Sequence, residues 1–245
     1  MASRKKAKPK HRHVAFEESL KEVRSREATT WTEVEQSFID VVTAFDAEYA
    51  QGKREKGWYQ LKARYFNDLV VAIIENATGE EISTRSKKRS VLFSEIDIDM
   101  CFPGEGDPIV AAEVKALGTP PHPGNDFVAR KAYSDLHKRV REVAFTSMDI
   151  KAAYAKPRII SSFQSWVDTT EPAYSSFWAM RVAGESDLSQ VRSILSSRKS
   201  YCNGVGAVIY GVNEPSASYV VKPYPEFAMD RAIRDFTQRV ISSRE

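Results

Sequence analysis

The residues with the clearest capacity for chemistry lie between Glu95 and Leu117, where five charged side chains are set into two short arms rich in apolar residues. In the first arm Glu95, Asp97 and Asp99 alternate with Ile96, Ile98 and Met100, so a strand here puts the carboxylates on one face and the apolar chains on the other. In the second arm Glu113 and Lys115 share a face and are otherwise flanked by Ile109, Val110, Ala111, Ala112, Val114, Ala116 and Leu117. The connection, Pro103-Gly104-Glu105-Gly106-Asp107-Pro108, is all turn chemistry, so the arms are expected to fold back as a hairpin. That sets Asp97 or Asp99 across from Glu113. The second arm reads as a central strand, where an unpaired carboxylate is costly. Carboxylates crowded beside one lysine repel unless a cation joins them, and hard oxygen ligands at this density suit Mg²⁺, with Mn²⁺ as a substitute.

An acidic residue on one strand, a short hairpin and Glu-x-Lys on the next apolar strand resembles the PD-(D/E)XK nuclease superfamily, and within it the type II restriction endonucleases. The resemblance covers roughly residues 58 to 183. It implies an α/β fold with a mixed central β-sheet flanked by helices, a restriction-endonuclease-like core. It also implies metal-assisted hydrolysis of a phosphodiester in double-stranded DNA at a short specific sequence. Asp97 or Asp99 would hold metal together with Glu113, and Lys115 would position or deprotonate the attacking water. No proline precedes the first aspartate, and both Asp97 and Asp99 fit its place. The glutamate that the family often offers from a preceding helix is absent after Phe66, which leaves Asp68 or Glu75 as stand-ins. Asp149-Ile150-Lys151 is a second acidic-x-Lys match, but it falls in a helical pattern with no hairpin before it.

The elements that must position this hairpin can be read outward from it. Thr30 with Glu33 forms a capping box ahead of a 3.6-residue apolar stripe from Trp31 to Tyr49, after a short charged helix over residues 14 to 28. A further helix is expected from Trp58 to Ala77, stopped by Thr78-Gly79. A strand from Glu80 to Phe93 is interrupted by the basic run Arg85, Lys87, Lys88 and Arg89, placed to meet a phosphate backbone. Beyond the hairpin, a proline-rich loop containing His122 and Asn125 leads to a long helix from about Val128 to Tyr154, with Arg130 and Lys131 near its start. Strands are expected at Ile159 to Trp166, Ser176 to Ala183, Val205 to Val212 and Tyr219 to Val221. Helices are expected at Asp187 to Leu195 and from Met229 to Val240. Arg85, Lys87, Lys88, Arg89, Asn125, Arg130 and Lys131 are the candidate DNA contacts.

Composition narrows the class. The 245 residues are 42% hydrophobic, enough for one full core over residues 14 to 245, which the resemblance makes a single nuclease domain. Residues 1 to 13 carry six Lys or Arg and no acid, so with a whole-chain charge of +3 the remainder stands at −3. The basic segment reads as a disordered arm, suited to gripping phosphates. Two cysteines exclude a disulfide framework and suit a reducing compartment. The lack of a long apolar run or a secretion signal points to a cytoplasmic protein with no membrane partner. Cleavage of two strands at a symmetric site calls for a homodimer. The same core also suits a repair or junction-resolving nuclease that reads DNA shape. A non-catalytic DNA-binding protein is the reading from a different class.

Overall fold

The computed structural model describes residues 13–53, 56–126, 128–155, 162–197, 201–213 and 218–243. The expected arm at residues 1 to 13 lies outside them except for His13, which is buried against Phe16 and Phe45. A six-stranded mixed sheet in the order β1-β2-β3-β4-β5-β6 forms the centre. Its strands are β1 (Ser83–Arg89), β2 (Glu95–Phe102), β3 (Val110–Leu117), β4 (Ala173–Val182), β5 (Gly204–Asn213) and β6 (Ser218–Val221). The pairs β1–β2 and β2–β3 are antiparallel, β3, β4 and β5 are mutually parallel, and β6 closes the far edge antiparallel.

Helices cover both faces, as parallel strands require. On one face lie α1 (Val14–Arg24), α2 (Trp31–Ala50), α3 (Gln60–Thr78) and α7 (Met229–Ser242), whose Phe38, Phe66, Ile73 and Phe236 pack on Val110, Ala112, Val114 and Phe177. On the other, α4 (Ala132–Tyr154) and α6 (Glu185–Ser196) lay Leu136, Val140, Val143 and Val191 on Ala111, Leu117, Trp178 and Ile209. The α4 and α6 segments are the crossovers that return the chain for β4 and β5. The capping box is present: the Thr30 hydroxyl accepts from the Glu33 N–H while the Glu33 carboxylate accepts from the Thr30 N–H at 2.7 Å.

Four expectations are corrected. The basic run at 85 to 89 does not interrupt β1; it is most of the strand, because Lys87, Lys88 and Arg89 pair with Asp97, Ile96 and Glu95. The long helix starts at Ala132, not Val128, because Thr119 and Arg130 are held in an isolated β-bridge. The charged helix ends at Arg24 rather than residue 28. Of the expected strand at Ile159 to Trp166, residues 159 to 161 lie outside the described ones, and the remainder is the start of a helix, α5 (Phe163–Thr169). There the Ser162 hydroxyl accepts from the Ser165 N–H at 3.1 Å, so a polar cap rather than a sheet neighbour sets the local structure.

Candidate active site

The hairpin forms as expected up to one point. Strands β2 and β3 pair through Phe102↔Val110, Cys101↔Ala111 and Met100↔Ala112, and the ladder stops there. One position further, side-chain chemistry replaces it: the Asp99 carboxylate accepts the Val114 N–H at 2.9 Å. The two-residue alternation of β2 breaks at the same residue. Ile96 and Ile98 face the α4 side, whereas Met100 turns to the α3 side, so Ile96, Ile98 and Met100 do not share a face as the sequence suggests. Across the sheet Arg85, at φ 54°, is the unpaired residue of β1 between Thr84↔Met100 and Ser86↔Ile98. A kink in both arms of the outer hairpin thus opens the sheet where the charged residues sit.

Into that opening point Asp99, Glu113 and Lys115. The Lys115 ammonium donates to the Glu113 carboxylate and lies 3.4 Å from Asp99 Oδ2. Glu113 and Lys115 come from the centre of the sheet, where β3 is paired on its other edge through Glu113↔Ser176 and Lys115↔Trp178. This edge pairing fixes the two side chains on the α4 face. Just past Lys115, Gly118 (φ 78°) turns the chain off the sheet; a Cβ there would lie 2.1 Å from the Arg181 carbonyl oxygen, so only glycine fits. Its own carbonyl accepts from the Tyr59 hydroxyl, which holds the exit of β3.

The electrostatics are those of a site with too much negative charge. Burial pushes the Glu113 carboxyl up to about 7; Lys115 works against that shift and Asp99 adds to it. For Lys115, burial lowers the pKa, but Glu113 and Asp99 outweigh it, so the amine stays above its ordinary value and is an ammonium at neutral pH. Beside Glu113 on the neighbouring strand β4, the sequence reading missed two buried polar side chains on the same face, Ser176, whose hydroxyl accepts from Trp178 Nε1 at 2.9 Å, and Tyr174. Burial and the Glu113 charge hold the Tyr174 phenol well above its usual range. The signal was present in the interruption of an apolar strand by Ser175-Ser176.

The other candidates separate into distinct roles. Asp97 is exposed and opposite Lys87, and among the described residues it makes no hydrogen bond or ion pair, so it does not join the cluster. Glu75 is spent on the Ile82 N–H at 3.1 Å, and Asp68 takes a 3.3 Å bond from Asn67; neither is brought to Glu113. Lys88 is buried with its ammonium donating to the carbonyls of Pro103, Gly104 and Gly106, so it staples the hairpin loop and offers nothing to DNA. Arg89 donates to the Ala153 carbonyl and lies over the Tyr154 ring at 4.7 Å. Lys87 pairs with Glu95 at 3.2 Å, and Arg85 is exposed. Arg130 pairs with Asp135 at 2.5 Å, while Lys131 precedes α4 with its ammonium 5.8 Å from the Tyr133 ring centre. Asn125 belongs to a 3₁₀ turn, Pro123–Asn125, and its side chain lies outside the described residues. Both ends of the second acidic-x-Lys match are structural. Asp149 accepts from Ser90 and from the Val91 and Leu92 N–H groups, and Lys151 donates to the carbonyls of Val167, Thr170 and Pro172.

No family model matches the chain, and no curated protein or solved structure matches it either. Among the described residues no group of three or more His, Cys, Asp or Glu side chains forms a ready metal cage, and no helix is long and apolar enough to cross a membrane. Mg²⁺ rarely needs a full cage: one or two carboxylates, with waters and substrate phosphate oxygens completing the shell, suffice. Two carboxylates on one partly buried ammonium, one of them resisting ionisation, fit that donor set.

Proposed function

We propose that this chain is a metal-dependent endonuclease of the PD-(D/E)XK type, hydrolysing phosphodiester bonds of double-stranded DNA at a short specific sequence as a homodimer, in the manner of a type II restriction enzyme. The observation that carries the reading is the convergence of Asp99, Glu113 and Lys115 where β2 and β3 part. Asp99 and Glu113 would hold Mg²⁺, whose contribution when bound is to polarise the scissile phosphate and acidify water. Asp99 is the better partner for Glu113 than Asp97, since its carboxylate already reaches the β3 backbone and Lys115.

Each residue then has a defined task. Lys115, charged and fixed between two carboxylates, donates hydrogen bonds to the attacking water or a phosphate oxygen and offsets charge that grows on the phosphorane-like transition state. Glu113, anchored on the central strand, sets the position of both its metal contact and the lysine. The exposed Arg85 and Lys131 would supply phosphate contacts that orient the duplex without reading bases, with Lys87 and Arg130 free to do so only on leaving Glu95 and Asp135. Water is the nucleophile and no covalent intermediate forms.

The test is incubation of the purified protein with plasmid and phage DNA, with Mg²⁺ and with chelator, followed by electrophoresis. Discrete fragments only with Mg²⁺, abolished in Glu113→Ala, are the expected result. Full activity in Glu113→Ala would remove the site, and no cleavage of any linear, branched or mismatched DNA would remove the nuclease.

A further inference from the structure

Tyr174 is fully buried on β4, and among the described residues its hydroxyl forms no hydrogen bond. An interior hydroxyl without a partner is costly, so such a group calls for something that the fold alone does not supply. Its position says what. Tyr174 pairs with Ala111 and Ser176 with Glu113, so Tyr174 and Glu113 are diagonal neighbours on the α4 face, within reach of a long aromatic side chain. Among the charges that act on the phenol, that of Glu113 is the strongest, followed by Cys202 and Asp99. Thr146 of α4 is near enough to favour the phenolate, yet it leaves the hydroxyl unpaired.

The two carboxylates of the site are held unequally. Asp99 accepts from a neutral donor, the Val114 N–H at 2.9 Å, as well as from the Lys115 ammonium. Glu113 has only the ammonium among the described residues. A divalent cation held by both carboxylates repels that ammonium, whereas a neutral donor steadies a ligating carboxylate without opposing the ion. The Ser176 hydroxyl, directly beside Glu113, is already engaged: it accepts from Trp178 Nε1 at 2.9 Å, and its other hydrogen-bonding neighbour is the Cys202 thiol. That leaves Tyr174.

We infer that Tyr174 is a positioning residue of the site: when Glu113 binds a divalent cation, the Tyr174 hydroxyl donates to its carboxylate and fixes it in the ligating orientation. The inference rests on the cation-holding part of the proposed function and not on cleavage. Tyr174 acts through Glu113 rather than on the reacting atoms. Tyr210 supplies the contrast, since it too is fully buried with an unpaired hydroxyl, but it lies on the α3 face under the influence of Asp46 and Tyr219.

The experiment is calorimetric titration of Mn²⁺ into the full chain at pH 8 without DNA, for the wild type, Tyr174→Phe, Tyr210→Phe and Glu113→Ala. The expected result is a binding heat in the wild type and Tyr210→Phe that Glu113→Ala lacks. In Tyr174→Phe the dissociation constant should rise about 10-fold, with unchanged circular dichroism. A merely structural tyrosine would leave that constant where it is, because phenylalanine keeps the ring and removes only an unpaired hydroxyl. Equal affinity in Tyr174→Phe and the wild type, or an equal loss in Tyr210→Phe, overturns the inference and leaves the cation site standing. A wild type that binds no Mn²⁺, or a signal that survives Glu113→Ala, removes the site and the inference together. The expected binding pattern in a protein that cuts no DNA keeps the inference and removes only the nuclease.

Discussion

Two clusters of charge lie on opposite faces of the same sheet, and they differ in burial and in the balance of their charges. On the α3 face Lys62 donates to both oxygens of Asp46 at 3.1 and 3.2 Å, Tyr219 donates to Asp46 at 2.9 Å, and Arg181 donates to Tyr219 at 2.7 Å. The Lys62 and Asp46 side chains are 0% and 2% exposed, and the Lys62 ammonium sits 4.2 Å above the Tyr59 ring. On the α4 face Glu113, Lys115 and Asp99 are 10%, 22% and 36% exposed. The first cluster has two cations for one carboxylate and is sealed by aromatic rings. The second has two carboxylates for one cation and is open to water. Burial draws Lys62 down to about 8 despite Asp46, whereas Lys115 stays above its ordinary value. An excess of negative charge within reach of solvent attracts a cation; a sealed excess of positive charge does not admit an anion. One cluster is closed on itself, and the other keeps an accessible excess of carboxylate.

Substitutions should separate the two accordingly. The largest effect is expected from Asp46→Ala, which leaves Lys62 and Arg181 buried without their carboxylate and should cost about 3–5 kcal/mol in urea unfolding. Cleavage per folded molecule should be unchanged. Lys115→Ala reverses the pattern: a fall in cleavage of about 10²–10³-fold, read on a supercoiled plasmid, with a loss of stability smaller than that of Asp46→Ala because the cluster it leaves is open to water. Should Asp46→Ala abolish cleavage in the fraction that remains folded, or Lys115→Ala unfold the protein, the division of labour between the faces is wrong.

A smaller step sharpens the active cluster itself. Asp99→Asn retains an oxygen for the Val114 N–H but loses the negative charge, so it should fold normally and cleave at least 100-fold more slowly. Asp97→Asn should stay within a few-fold of wild type, because Asp97 touches neither Glu113 nor Lys115. The opposite result in this pair would return the role to Asp97.

How far the sequence reveals this arrangement depends on the range of the forces involved. Hairpin, capping box and helix stop at Gly79 are local signals, and all are present in the structure. Glu113 and Lys115 are legible because charges in an apolar strand break a pattern within a few residues. The choice between Asp97 and Asp99 is not legible, since it depends on a kink at Asp99 that reverses the facing of β2 and that no alternation rule contains. Lys62, Lys88 and Lys151 look like surface lysines in the sequence; their carboxylate or carbonyl acceptors lie about 15 to 20 residues away and meet them only after folding. The same blindness makes Asp149-Ile150-Lys151 resemble a catalytic tripeptide when both its charges serve the scaffold.

The smallest expected effect tests the electrostatic premise without cleavage. Glu113 has a folded-state pKa raised to about 7 against 4.5 for the ordinary group. A raised carboxyl binds its proton more tightly when folded, so its favourable contribution is complete below pH 4.5 and is lost as pH rises through 7. Glu113→Gln, which mimics the protonated form, should therefore be more stable than wild type at pH 8 by about 1–2 kcal/mol and equal to it near pH 4.5, measured by chemical unfolding with chelator present. Adding Mg²⁺ at pH 8 should close the gap from the wild-type side, because the ion supplies the positive charge that the ionised pair lacks. A gap that is absent at pH 8, or that widens towards low pH, would mean that Lys115 alone balances the two carboxylates and that the cluster is as self-contained as the Lys62 pair.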